Sequence, residues 1–351
     1  MGKTNLISQE SKNLIRERNC FDLIRYYLAL IVVFAHFAVL SGSFDFNWTT
    51  NSGEAVSGFF TLSGFLVFYS FTKRPILKDY ASNRLKRILP PYLFIVILCA
   101  LAGAIISNLT VREYFSSTQL YKYLFSNLCF LNFLEPALPG IFTDNAIQAV
   151  NGSLWTMKVE LMLYTSVPIT YYFFKRYNKA AVLVAIFAIS IAYKYALLHM
   201  LDTTGNELYR ILARQVGTQL IYFYSGTAIL FYFEQFQKVQ KYILIPTLII
   251  YLLKDYIPFY SFFEPFVFSI LIIGIAYNAK FLFVFSKLPN ISYGIYLFHF
   301  PVIQTIVHFK IHEYSSSLAL VLSLAITTAL ALFSWKFIEK PFMNKKRLSH
   351  N

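Results

Sequence analysis

Arg25 and His36 lie in the first apolar stretch of the chain, Phe21-Asp-Leu-Ile-Arg25-Tyr-Tyr-Leu-Ala-Leu-Ile-Val-Val-Phe-Ala-His36. An ionisable group in hydrocarbon is costly, so each one is a functional-site hypothesis by default. In a helix their spacing turns through roughly 1,100°, three turns plus about 20°, with about 16 Å of rise. Both side chains therefore leave nearly the same face. Glu160 sits in comparable surroundings, in Leu154-Trp155-Thr-Met-Lys-Val-Glu160, and His299 is near the middle of Ile291-Ser-Tyr-Gly-Ile-Tyr-Leu-Phe-His299-Phe-Pro-Val. Two imidazoles and a carboxylate within apolar segments could share one cavity, relaying protons or lining a substrate path.

The elements that must position these residues are membrane helices. The 351 residues are 57% hydrophobic and only 14% charged, with 37 Phe and 26 Tyr, which is the composition of a polytopic membrane protein. The net charge of +14 does not imply nucleic acid, because basic residues collected in short loops are what the positive-inside rule produces. Cys20, Cys99 and Cys129 are scattered without C-x-x-C spacing, so neither a disulfide framework nor a metal site follows. The first apolar run is too long for an ordinary signal peptide and cleavage would discard Arg25 and His36, so it reads as an uncleaved span.

Ten segments are candidates to cross, near Leu23–Leu40, Glu54–Phe71, Ile88–Ser107, Leu154–Phe174, Ala180–Leu198, Val216–Phe233, Tyr242–Leu253, Phe262–Tyr277, Ile291–Phe309 and Ser317–Phe337. The seventh is the shortest. With the N-terminus inside, the cytoplasmic side carries Lys3, Lys12, Arg16 and Arg18, then Lys73, Arg74, Lys78, Arg84, Lys86 and Arg87, then Lys175, Arg176 and Lys179. Lys238, Lys241, Lys280, Lys287, Lys340, Lys345, Lys346 and Arg347 complete that side, whereas the opposite loops hold Arg112, Lys122, Arg210, Arg214, Lys254 and Lys310. That asymmetry predicts both termini in the cytoplasm. The expected organisation is a cytoplasmic segment over 1–20, one integral membrane domain over 21–342 and a basic cytoplasmic tail over 343–351: an all-α polytopic bundle of about ten transmembrane helices. A long far-side connection from Asn108 to Ser153 contains the aromatic stretch Tyr121–Phe133, which suits a short interfacial helix.

Each singled-out residue also has a plain structural reading. A lone intramembrane His can simply hydrogen-bond a neighbouring helix. Glu160 could neutralise Lys158 or Lys194, Arg25 could snorkel to the interface, and Arg84 and Arg87 could serve topology alone.

Six stretches of the chain are informative when taken together. They are Arg25 with His36; Ser57-Gly-Phe-Phe-Thr-Leu-Ser-Gly-Phe-Leu66; Arg84-Leu-Lys86-Arg87-Ile-Leu-Pro90-Pro-Tyr92; Ser153-Leu-Trp155-Thr-Met-Lys-Val-Glu160-Leu-Met-Leu-Tyr164; Ser292-Tyr293-Gly-Ile-Tyr296-Leu-Phe-His299-Phe-Pro301; and Phe337-Ile-Glu339-Lys-Pro341. In this order, over roughly Phe21 to Phe342, they resemble the integral membrane acyltransferase 3 family; Thr156, Met157 and Thr61 are small departures.

The resemblance implies a bacterial inner-membrane enzyme that transfers an acyl group, usually acetyl from acetyl-CoA, to a carbohydrate hydroxyl on O-antigen, capsule or another lipid-linked or surface glycan. A macrolide or soluble sugar is the runner-up acceptor. No permanently bound cofactor or metal is implied; the partners are acetyl-CoA, the glycan and membrane lipids, with no nucleic acid. On that reading Arg84, Lys86, Arg87 and Arg25 form a basic entrance for the donor's phosphates. His36 acts as general base with Glu160 orienting its imidazole. Trp155, Ser292, Tyr293 and His299 position the acceptor, donate to the oxyanion or fix the helices. Direct transfer is the simpler route, and an acetyl-imidazole on His36 is the alternative. Because no further domain follows the last span before Asn351, the chain is expected to work alone. A rival reading from another class is a transporter or flippase for a glycolipid or small solute, which would also use intramembrane His and Glu.

Overall fold

Every regular element among the described residues is helical, as backbone groups in a lipid environment require. The computed structural model describes residues 6–44, 51–279, 282–283 and 289–344. Lys3, Lys280, Lys287 and the basic tail from Lys345 lie outside them.

In chain order the helices are α1 (Gln9–Ile15), α2 (Phe21–Ser41), α3 (Ser52–Lys73), α4 (Leu77–Ile106), α5 (Val111–Ser116), α6 (Thr118–Leu128), α7 (Trp155–Arg176), α8 (Lys179–Thr204), α9 (Glu207–Leu212), α10 (Val216–Phe231), α11 (Phe233–Leu252), α12 (Tyr260–Asn278), α13 (Ser292–His308), α14 (Ile311–Tyr314), α15 (Ser316–Ser334) and α16 (Lys340–Asn344). A helix answers each of the ten segments expected to cross. Among the described residues, six stretches are long and apolar enough to span a membrane: α2, α3, α4, α8, α12 and the run from Ser316 to Met343. The others, α7, α10, α11 and α13, are shorter or more polar.

Two boundaries differ from expectation. α4 begins at Leu77, eleven residues before the expected start at Ile88, and runs through Pro90 and Pro91. The two prolines leave the carbonyls four residues earlier, on Lys86 and Arg87, without the usual N–H partners. α11 begins at Phe233 rather than Tyr242, since its first turns are polar and carry no apolar signal. The connection after α4 holds α5 and α6; Thr110 and Glu113 form a capping box at the start of α5. The hydrogen bonds from Thr110 keep the Glu113 carboxyl below its ordinary range.

The helices pack into two compact units, one of Met1–Arg25, Gly53–Tyr80 and Val159–Leu288, the other of Tyr26–Ser52, Ala81–Lys158 and Pro289–Asn351. In the first unit, α10 packs against α8 and α12, and α11 against α12. α3 approaches α10 at two glycines: a Cβ on Gly64 would collide with the Phe223 carbonyl, and one on Gly226 with the Thr61 carbonyl. Small residues of this kind let membrane helices close on one another where lipid supplies no hydrophobic drive. Thr227 Oγ1 donates to Gly64 O at 3.0 Å and Thr61 Oγ1 to Tyr222 O at 3.3 Å across this contact.

In the second unit, α13 packs against α15, with Gly294 so close that a Cβ there would stand 2.9 Å from Ala331 Cα. The long connection folds back onto α4. The Tyr92 ring stacks on Phe130 at 4.2 Å, while Tyr92 Oη donates to Asn127 O at 2.6 Å and Tyr114 Oη to Ala100 O at 2.8 Å.

Candidate active site

His36 and His299 meet within the second unit. His36 Nδ1 stands 2.7 Å from His299 Nε2, and the two rings are coplanar within 4°. An in-plane N–H···N bond between imidazoles has that geometry. His299 is fully buried, and its Nδ1 lies 3.2 Å from the Ile295 carbonyl.

These contacts fix the tautomers of the neutral pair. A carbonyl only accepts, so His299 carries its hydrogen on Nδ1 and presents Nε2 as an acceptor. His36 must then donate from Nδ1, which leaves the lone pair on its own Nε2. Such an imidazole is set to take a proton at Nε2, and the ensuing imidazolium would strengthen its bond to His299 through charge assistance. The Phe300 ring, steeply inclined to that of His36 with 5.2 Å between centroids, packs against it.

A polar network that sequence reasoning left out holds α13 in place. Asn151 Nδ2 donates to Leu297 O at 2.9 Å, Ser153 Oγ to Asn151 Oδ1 at 2.7 Å, and Thr156 Oγ1 and Tyr296 Oη share a hydrogen bond of 2.9 Å. Gly152 leaves room for the Phe300 ring, which a Cβ there would meet at 2.7 Å. Gln304, fully buried, ties the connection to α13 by donating to Ala149 O at 2.8 Å and accepting from Asn145 Nδ2 at 2.8 Å. The signal available in the sequence was Gln304 itself, a polar residue in an apolar segment.

Tyr293 Oη donates to Ile88 O at 3.2 Å, joining the first turn of α13 to the basic half of α4. Arg84, Lys86 and Arg87 are half-buried there. Arg87 lies within electrostatic reach of Glu339, a buried carboxylate that accepts from Ser334 Oγ at 3.1 Å. Glu339 closes a π-helical turn, Trp335–Glu339, a local form that often accompanies functional positions. Ser292 is buried and donates to Asn290 Oδ1 at 2.9 Å, and Trp155 is half-buried at the start of α7.

The remaining expected site residues belong to the first unit. Arg25 Nη1 pairs with Asp22 Oδ1 at 2.7 Å, and Glu160 accepts from Tyr164 Oη one turn along α7. Lys158, weighed above as a neutralising partner of Glu160, stands 4.8 Å over the Phe133 ring within the second unit. Lys194 lies within electrostatic reach of Glu264 in the first.

Residues 18–336 match the acyltransferase domain model of the acyltransferase 3 family. The chain is 26% identical to an O-acetyl transferase of Shigella phage Sf6, over 94% of this chain and 98% of that protein. It is 25% identical to nodulation protein 10 of Rhizobium leguminosarum bv. viciae, over 93% of each. No solved structure matches. With the family model covering nearly all of the helical chain and both imidazoles inside it, this membrane protein belongs to the acyltransferase 3 family and is an acyltransferase enzyme.

Proposed function

We propose that the enzyme moves an acetyl group from cytoplasmic acetyl-CoA to a carbohydrate hydroxyl of a lipid-linked or surface glycan, with O-antigen or capsule repeats as the preferred acceptor. The observation that carries this reading is the imidazole pair, which leaves His36 Nε2 as a base inside an acyltransferase domain. The name of the Sf6 relative, an O-acetyl transferase, supports oxygen as the accepting atom and acetyl as the group.

In the proposed step, His36 Nε2 takes the hydroxyl proton as the oxygen attacks the thioester carbonyl. The tetrahedral intermediate then expels the CoA thiolate, which recovers that proton from His36 Nε2–H. His299 is the positioning residue: it holds His36 in the required tautomer, the part an orienting carboxylate plays in a serine hydrolase. Glu160 stays a second catalytic candidate, and Trp155, Ser292 and Tyr293 are supports of α7 and α13. Arg84, Lys86 and Arg87 take the donor's phosphates, to which the family motif adds Arg25. Ten spans with both termini in the cytoplasm of a bacterial inner membrane put that basic stretch on the side where acetyl-CoA resides.

The test is radiolabelled acetyl transfer from acetyl-CoA by membranes containing the chain, with mass spectrometry of the cell-surface polysaccharide. The expected product is about 42 Da heavier per acetyl group. His36→Ala is expected to abolish transfer while the protein remains in the membrane. Wild-type rates in that variant refute the base assignment.

A further inference from the structure

The second unit contains a polar cavity of about 410 Å³ where α2 and α13 end, within the usual range for small-molecule sites. One wall is the end of α2, from Val39 to Gly42; the others are the connection at Asp144–Ala146 and the exit of α13 from Val307. Leu40 stands four residues beyond His36 and Val307 eight beyond His299, about 6 Å and 12 Å of helical rise. The cavity thus opens over the ends of the two helices that carry the imidazole pair.

Its wall is built rather than incidental. Asn145 donates through Nδ2 to Gln304 Oε1 at 2.8 Å and to the Gln304 carbonyl at 3.1 Å, which anchors the Asp144 segment on α13. Phe142, buried in a left-handed conformation (φ 55°), packs its ring 5.7 Å from that of His308 and turns the chain so that Asp144 reaches the cavity. Around it stand a carboxylate on Asp144, the imidazoles of His308 and His312, and an exposed Lys310–Glu313 pair at 3.6 Å. His312 Nδ1 is buried with no hydrogen-bond partner among the described residues. A buried polar atom of that kind awaits a partner.

We infer that this cavity is the acceptor subsite, built for a polyhydroxylated ring: the Asp144 carboxylate accepts from sugar hydroxyls, while Lys310 and the His308 and His312 imidazoles donate to or accept from others. The mixture of donors and acceptors, set beside apolar patches from Val39, Leu40 and Val307 that can meet the C–H face of a ring, suits a sugar better than a lipid chain or a nucleotide. A nucleotide would also meet Asp144 and Glu313 with the wrong sign. This inference rests on the acetyl-transfer reading above and names where its acceptor is held.

The experiment uses the full chain in detergent with [14C]acetyl-CoA and the polysaccharide fraction that the wild-type enzyme labels. Asp144→Ala and Lys310→Ala are expected to raise KM for that fraction about tenfold, the loss of one charge-assisted hydrogen bond, while KM for acetyl-CoA stays within twofold. In a Cys129→Ser background, Ala146→Cys is to be modified with a bulky maleimide. Transfer to polysaccharide is expected to fall at least tenfold, and the polysaccharide to slow the modification. Unchanged acceptor KM in both alanine variants, together with full transfer after modification of Ala146→Cys, overturns the subsite. A wild-type enzyme that labels no polysaccharide overturns the acetyl-transfer reading itself, and the subsite falls with it.

Discussion

At the scale of single residues, the proposed chemistry rests on which nitrogen of His36 holds a hydrogen. The Ile295 carbonyl decides this at second hand, by requiring Nδ1–H on His299 and so an acceptor at His299 Nε2. A glutamine at 299 could still accept from His36 Nδ1–H, whereas leucine could not. His299→Leu is therefore expected to lower kcat about 100-fold or more, the low end of general-base contributions, with KM for acetyl-CoA unchanged. His299→Gln should recover a large part of it and show a shifted pH–rate profile. Equal kcat and an identical profile in the two variants would show that His299 merely fills space. Arg87→Ala is expected to raise KM for acetyl-CoA about tenfold with little change in kcat, since a phosphate contact binds ground state and transition state alike. An unchanged acetyl-CoA dependence counts against the phosphate role.

At the scale of helices, two close approaches decide whether the scaffold forms. Gly64 and Gly226 let α3 and α10 touch backbone to backbone, and the hydroxyls of Thr61 and Thr227 bond across the contact. Gly226→Leu is expected to destabilise the enzyme by about 1–3 kcal/mol, the usual cost of overpacking, seen as a lowered unfolding midpoint in detergent. Gly42→Ala tests the opposite case. Nothing stands near a Cβ there, yet its φ of 64° disfavours any side chain, so a milder loss than at Gly226 is expected. In the other unit Gly294 fits against Ala331, and the Asn151–Ser153 network pins α13. α13 is only 17 residues long and carries a buried His and Gln, so its placement depends on these side-chain bonds.

At the scale of the whole chain, the apolar surface calls for lipid. In the most hydrophobic window of α8 only 11% is buried, and Val184 and Ile189 are each more than 60% exposed. No aqueous protein leaves so long an apolar face to water. Reporter fusions after Arg176 and after Asp202 test the proposed topology: activity confined to the cytoplasm is expected at the first and to the far side at the second. The reverse pattern would overturn the orientation, and the same compartment for both would overturn the crossing of α8. The sequence by itself determined the membrane solvent, the helices answering the ten apolar segments and the identity of His36 and His299 as candidates, because hydropathy and the cost of intramembrane charge are written along the chain. It located the start of α4 and of α11 less well, since polar first turns carry no apolar signal. Only the tertiary structure decided that His36 shares its hydrogen bond with His299, and that Asn145, Asn151 and Gln304 brace α13. Hydrogen bonds between residues 263 positions apart depend on how helices pack, and packing is set by small residues and buried polar atoms whose partners no local pattern reveals.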